Sequence, residues 1–345
     1  MAKTDSLFPI LNDKTISPLA HRAAEAQLDS AGCLTEYRPL ESRSILSKVN
    51  SKRGAPFSHG INPYRGCEFA CRYCYARYTH EFLEMRDPQE FERKIYFKEN
   101  AAWLLEQELR RLKPGTQIAM GTATDPYQPL ERKQKITRSL LEVFAKFSGF
   151  TLGIVTKSTL IARDVDLLQA IAERNKLTVH HTVTTLNVRL ARILEPRAPR
   201  PDLRIATLAK VRAAGVRAGV LCSPLMPGIT DSRSSIAAVA KAAAGAGANF
   251  FAAGSLFLKP CSLPTFFAFV REHFPEQLPA YEKRYAKSAF TSAEYQKRMA
   301  DLVESVCREY KLGKRFSDQW KEETRPKGVE RVEIQPWLPF AATGS

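Results

Sequence analysis

From about Gly60 to Pro260 the chain alternates two patterns. Short apolar or β-branched runs read as six strands: Gly60 to Tyr64, Gln117 to Thr122, Thr151 to Thr156, Thr178 to Thr185, Arg217 to Cys222 and Asn249 to Leu258. Between them, Asn100 to Leu112, Thr137 to Phe147, Asp164 to Arg174, Leu203 to Ala214 and Ser232 to Ala246 carry apolar residues at three- and four-residue steps, the period of amphipathic helices. Strands joined by helices wind right-handed into a parallel sheet whose outer face the helices cover. The pattern therefore predicts an α/β fold, a partial (β/α)6 barrel of the TIM type, with reactive groups on loops leaving the carboxyl ends of the strands. Residues 1–55 read as a basic N-terminal extension with a helix over His21 to Ala31, and residues 56–260 as the barrel core. Residues 261–345 read as a C-terminal helical region, Pro264 to Leu312, and a charged tail punctuated by proline.

Composition narrows the class. With 44% hydrophobic and 26% charged residues in 345, the chain is neither a disordered nor a disulfide-scaffold protein. Lys and Arg number 52 against 36 Asp and Glu, a net charge of +16, which favours a polyanionic partner or an acidic substrate if it is not simply the mark of a basic proteome. Lys241 interrupts the longest apolar stretch, Ala237 to Leu258, and the start of the chain lacks the apolar core of a signal peptide. The expectation is a cytoplasmic protein without membrane contact or disulfides.

Seven cysteines in such a chain serve as ligands, catalytic groups or core residues. Four are scattered, at positions 33, 222, 261 and 307, whereas Cys67, Cys71 and Cys74 lie within eight residues. A C-x3-C-x2-C triplet is too tight for a helix or strand to aim all three thiols at one point, so it implies a wrapped loop, here after the first strand with Pro63 and Gly66 making the turn. Structural zinc wants a fourth ligand, for which His80 is a candidate, and electron-transfer clusters normally use four thiolates. Three thiolates on a four-iron cluster leave one iron open to bind and activate a small molecule.

The triplet, with aromatic Tyr73 just before its last cysteine, resembles the signature of the radical S-adenosylmethionine (SAM) superfamily. Within it the likeness is to the spore photoproduct lyase-like branch, often labelled DNA repair photolyase, and spans about Gly60 to Pro260. It rests on Cys71-Arg-Tyr-Cys74-Tyr75-Ala76-Arg77, Thr122-Ala-Thr124-Asp125, Val155-Thr156-Lys157, Thr182-Val-Thr184-Thr185, Glu195-Pro196, Arg204 and Ser223-Pro224. The resemblance implies a [4Fe-4S] cluster on Cys67, Cys71 and Cys74 whose open iron chelates SAM. Reduction by a donor such as flavodoxin or ferredoxin then yields a 5′-deoxyadenosyl radical that takes hydrogen from the substrate. It further implies that Thr124 and Asp125 face the amino group of SAM, Lys157 its carboxylate and Thr182 its ribose, with Tyr73 and Ser223 beside the adenine.

Tyr75 matches a catalytic tyrosine in the hydrogen-return path of the lyase. One departure stands out: three positions before the aspartate the lyase keeps a hydrogen-returning cysteine, and here that position is Thr122. Basic residues expected at the mouth (Arg65, Arg72, Arg77, Arg132, Lys133, Lys135, Arg138), interleaved with Tyr64, Tyr75, Tyr78 and Tyr127, fit a nucleic-acid or other anionic substrate. The segment Lys311 to Arg331 adds seven basic residues against four acidic ones. Alternatives are a radical enzyme acting on a protein or small metabolite, and a non-catalytic iron–sulfur or zinc module.

Overall fold

The structure is a computed structural model that describes residues 17–49 and 57–315. Eleven strands follow in chain order: β1 (Ser30–Ala31), β2 (Glu36–Pro39), β3 (Leu46–Lys48), β4 (His59–Ile61), β5 (Tyr64–Arg65), β6 (Lys94–Phe97), β7 (Gln117–Met120), β8 (Thr151–Thr156), β9 (Lys176–Thr182), β10 (Ala218–Leu225) and β11 (Phe251–Ser255). β4, β7, β8, β9, β10 and β11 pair in that order, every neighbour parallel, and β3 adds antiparallel to β4 at one end. The six parallel strands are those the apolar runs predict, and β3 and β11, at the two ends of the sheet, do not pair with each other. The result is a partial barrel.

The helices between these strands, Ala101–Leu109, Ile136–Lys146, Val165–Arg174, Pro201–Ala213 and Arg233–Gly245, lie within about two residues of the predicted ones. Their buried faces meet alternate strand residues, Ile118 and Met120, Leu152 and Ile154, Leu177 and Val179, Ala218 and Val220, in the main core. The other face of the same strands carries Ala119, Gly153, Val155, Thr178, His180, Gly219 and Leu221, paired across in register. Glycine at two of these positions admits close neighbours, since a Cβ at Gly219 would stand 2.4 Å from the Phe250 carbonyl oxygen and one at Gly153 3.4 Å from the His180 ring; towards the carboxyl end Val155, Lys157, Leu221 and Ser223 are only half-buried.

The N-terminal segment differs from its sequence reading. Its helix spans Pro18–Glu25, not His21 to Ala31, because Ser17 caps it, accepting from the Ala20 N–H at 3.1 Å, and Pro18 starts it. Beyond it the chain turns extended, and β1, β2, β6 and β5 form a second sheet, with β2 parallel to β6. The expected first strand also splits: after β4, Pro63 interrupts the run and Tyr64–Arg65 pairs with β6 in the second sheet.

The turn into the cysteine loop depends on Gly66. Its φ is +81°, and a Cβ there would stand 2.7 Å from the Phe91 carbonyl oxygen and 2.8 Å from that of Lys94, both backbone atoms. Gly66→Ala is expected to cost at least about 1–3 kcal/mol from the strained φ alone, with more from the clash, and to displace the loop. Thermal unfolding together with iron content after reconstitution checks this; a variant matching the wild type in both would mean the turn relaxes freely.

Candidate active site

Cys67 and Cys71 are buried and Cys74 half-buried on the loop after β4 and β5, and all three lie in one apolar cluster with Phe69, Tyr73 and Met226. Buried polar groups hold this loop at both ends. Glu68 accepts from the Leu130 N–H at 3.0 Å and the Tyr37 hydroxyl at 2.8 Å, while Gln128 accepts the Glu68 N–H and donates to the Gly66 carbonyl. Arg77, 2% exposed, pairs with Glu92 at 2.5 Å and donates to the Cys71 carbonyl at 3.3 Å. Arg77 is therefore structural, which corrects its place in the expected phosphate-binding fringe. His80 is structural too: its Nε2 lies 2.9 Å from the Lys94 carbonyl and its ring packs edge-on against Phe91.

Tyr73 projects from the loop into a buried charge network. Its hydroxyl donates to Glu195, which also accepts from Thr184 at 2.9 Å and pairs with Arg204 at 2.6 Å. Burial pushes the Glu195 carboxyl up, but Arg204, Lys157 and the Tyr73 hydroxyl outweigh it and hold the group below its ordinary value. The Lys157 ammonium sits 5.7 Å over the Tyr73 ring. Burial opposes its charge, and the nearby Cys71, Glu195 and Asp125 more than restore it, leaving its pKa raised. Thr182 ends β9 beside this network, its carbonyl accepting from Arg204 at 3.2 Å, and the Ser223 carbonyl on β10 accepts from Thr184 at 3.4 Å.

Asp125 is buried and already engaged. Its carboxylate accepts from Thr156 at 2.7 Å, the Tyr127 N–H at 2.9 Å and the Lys157 N–H at 2.7 Å, so three of about four acceptor sites are taken. Burial nonetheless lifts its pKa. Thr124, also buried, donates its N–H to Asn62 Oδ1 at 3.3 Å. The loops after β4, β7, β8, β9 and β10 thus bring together the residues the sequence singled out, all at the carboxyl end of the sheet.

Tyr75 lies at the mouth, 36% exposed, its hydroxyl donating to the Thr122 carbonyl and its ring 5.0 Å from that of Phe257. Burial pushes its phenol up, so it stays protonated. A residue the sequence reading passed over stands beside it: Cys261 Sγ is 3.9 Å from the Tyr75 carbonyl, and its neighbour Ser262 donates to the Cys74 carbonyl at 2.8 Å. Its distance of 187 residues from Cys74 hid it. Cys222, by contrast, is a buried strand cysteine aimed at the Thr184 carbonyl, with burial pushing its thiol up to about 12.

The expected basic and aromatic fringe is largely spoken for. Arg138 pairs with Asp164 and Asp166, Lys133 with Asp29, and Tyr64 and Tyr127 are buried in the core. Of the four tyrosines, Tyr75 is exposed and Tyr78 half-buried. The basic tail expected over Lys311 to Arg331 lies outside the described residues from 316 onward.

The donor set fits an iron–sulfur cluster: three cysteine thiols on one loop, gathered in one apolar cluster of the protein, are the ligands such a group takes. A four-iron cluster takes one thiolate per iron and keeps them apart. Burial raises the Cys71 thiol to about 12 and pushes the Cys67 thiol well up too, although an Asp125 backbone N–H points at the latter. Loading must therefore release the thiol protons as the iron–sulfur bonds form.

The sequence model of the Radical SAM superfamily matches residues 61–238. Proteins of Mycobacterium bovis and Mycobacterium tuberculosis, both described as uncharacterized, are 32% identical over 277 residues, 80% of this chain and 81% of theirs. An uncharacterized protein of Methanocaldococcus jannaschii is 29% identical over 200 residues, 56% of this chain and 72% of its own. Among solved structures, a spore photoproduct lyase mutant superposes with a TM-score of 0.60 at 16% identity over 79% of both chains. Another mutant of that lyase, with bound AdoMet and dinucleoside spore photoproduct, gives 0.55 at 16% over 78% of both. These likenesses show the fold. With its three-thiol loop at the carboxyl end of a partial barrel and the superfamily model matched across that barrel, this chain belongs to the radical SAM superfamily, enzymes that use a [4Fe-4S] cluster and S-adenosylmethionine.

Proposed function

We propose that this enzyme takes hydrogen from an anionic, nucleic-acid-type substrate, with Cys67, Cys71 and Cys74 holding the cluster and the network around Tyr73 and Lys157 holding SAM. When bound, the pair supplies a 5′-deoxyadenosyl radical under reduction by a low-potential one-electron donor. The observation that carries the reading is the Lys157 ammonium, kept charged within reach of Cys71 and over Tyr73 at the carboxyl end of the partial barrel.

The chain's own residues do the binding. Lys157 meets the carboxylate of SAM. Thr124 and the remaining acceptor site of Asp125 meet its ammonium, and Thr182 its ribose. Tyr73 and Ser223 flank the adenine. Next to Gly254, whose absent Cβ would stand 3.6 Å from Ser223 Oγ, a cavity of about 400 Å3 lined by Leu225, Phe257 and Phe290 supports an aromatic guest on that side. Tyr75, neutral and open at the mouth, is the group placed to pass a hydrogen atom to or from the substrate. Met226, Leu256 and Leu258 pack around the loop and exclude water from the thiols.

Three outcomes test this. Replacing Cys67, Cys71 or Cys74 by Ala is expected to abolish iron and sulfide loading, while Cys33→Ala and Cys307→Ala load normally; a Cys71→Ala protein retaining four irons overturns the assignment. Lys157→Ala should weaken SAM binding roughly ten- to a hundredfold, the worth of a charge-assisted contact of about 1.5–3 kcal/mol, with cluster absorbance intact. Asp125→Ala should instead also lower the melting temperature, because the donors from Thr156, Tyr127 and Lys157 lose their acceptor. Equal SAM affinity in wild type and Lys157→Ala sinks the site.

In anaerobic turnover the reduced protein should show a SAM-dependent change in its electron paramagnetic resonance spectrum and release 5′-deoxyadenosine. It should not cleanly restore two thymines from spore photoproduct. Thr122 stands where the lyase keeps its thiol, a hydroxyl O–H is far stronger than S–H, and Cys222 is turned away. Chromatography of digested DNA decides it, efficient repair counting against this assignment of Tyr75 and Thr122.

A further inference from the structure

Beyond the carboxyl end of β10, the turn Pro227–Gly228 and the helices Leu278–Tyr285 and Ala293–Glu309 enclose a cavity of about 120 Å3, wide enough for several waters or one tetrahedral oxyanion. Two arginines line it, Arg284 from the first helix and Arg298 from the second. Both guanidiniums lie over the Tyr295 ring, 5.3 and 5.2 Å from its centroid. Stacking of this kind holds a guanidinium flat and leaves its N–H edge free to donate. Neither arginine has a side-chain hydrogen bond or ion pair with a protein group among the described residues, and Arg284 Nε is buried with no acceptor at all.

The carboxylate in the cavity does not serve them. Asp231 accepts the Gly228 N–H at 2.8 Å on one oxygen and the Tyr295 hydroxyl at 2.8 Å on the other. Two cations against one carboxylate leave the cavity positive: Arg284 is half-buried with its Nε–H unsatisfied, and Arg298 is exposed at the rim. A half-buried guanidinium without a partner is costly, and a phosphate, whose oxygens match its fork, is the ligand that offsets the cost best.

We propose that this cavity is a phosphate-binding subsite that anchors a phosphate group of the substrate. The inference rests on the reading of the barrel mouth as the reaction site and adds the substrate's class, a phosphate ester. The location agrees: Met226, Tyr281 and Tyr285 share one apolar cluster with Cys67, Cys71 and Tyr73, so the subsite stands behind the cysteine loop at the same end of the sheet. Arg77, three residues past Cys74, is engaged by Glu92, whereas Arg284 and Arg298 have no carboxylate partner among the described residues.

The test uses the full chain, reconstituted anaerobically and titrated with inorganic phosphate by calorimetry, with crystals soaked in tungstate to locate the anion. Arg284→Gln and Arg298→Gln are each expected to weaken phosphate binding about tenfold or more, at unchanged melting temperature in phosphate-free buffer. Arg284→Lys, which keeps the charge and loses the fork, should fall between and carries the test if the Gln variant misfolds. Lys297→Gln removes the same charge from an exposed neighbour outside the cavity and should change affinity less than twofold. Competition by single-stranded oligothymidylate assigns the phosphate to a nucleic-acid backbone, and its absence to a small phosphorylated molecule. No binding by the wild type, equal weakening by Lys297→Gln, or tungstate away from Arg284 and Arg298 overturns the subsite. Failure of the cofactor reading shows separately, as a resonance spectrum that SAM leaves unchanged while phosphate still binds.

Discussion

Three thiols can share one cluster only if an eight-residue loop with no regular structure is held still, and buried carboxylates do the holding. Glu68 ties the loop to the Leu130 backbone and to Tyr37, Glu92 to Arg77 and through it to the Cys71 carbonyl, and Glu195 to Tyr73. Burying a carboxylate is costly unless every acceptor finds a donor, and then the geometry is narrow. That narrowness is what the loop needs. Each tether reaches a different element, so displacing the loop would unpair several buried charges at once.

The same economy governs the mouth of the barrel. Lys157, Glu195, Arg204 and Asp125 gather beside the thiols: burial works against the charges of Lys157 and Glu195, and Cys71 and Glu195 reverse it for the lysine, Arg204 and Lys157 for the glutamate. A zwitterionic cofactor fits such a set of fixed charges because its carboxylate and ammonium meet groups already desolvated and oriented. Beneath them the inner face of the sheet is filled: a Cβ at Gly219 would stand 2.4 Å from the Phe250 carbonyl oxygen and one at Gly153 3.4 Å from the His180 ring. Thr178 and His180 are buried there with side-chain polar atoms that have no partner among the described residues.

The positive charge of the chain divides into two populations. Arg77, Arg138, Arg163 and Arg204 are held by carboxylates and belong to the architecture. Arg284 and Arg298 are stacked on Tyr295 and unclaimed. A net charge of +16 therefore says little about a partner until each cation's acceptor is known.

Local pattern alone determined the barrel. Period-two and period-3.6 runs of apolar residues mark strands and helices without reference to anything distant, and the Cys67, Cys71 and Cys74 spacing marks a loop because neither periodicity can present three thiols to one point. The candidate residues Asp125, Lys157, Thr182 and Ser223 came from the resemblance to the spore photoproduct lyase-like branch; the local pattern adds only that they fall at or near the carboxyl ends of strands. Partnership was not legible. The second sheet is made of strands of two to four residues, too short to show alternation, and β2 meets β6 across 57 residues of chain. Whether Arg77 is a phosphate ligand or the partner of Glu92, whether Asp125 is free or engaged, and that Cys261 lies against Tyr75 were decided by tertiary packing. Which donor meets which acceptor across a fold depends on distances in space that separation along the chain does not encode.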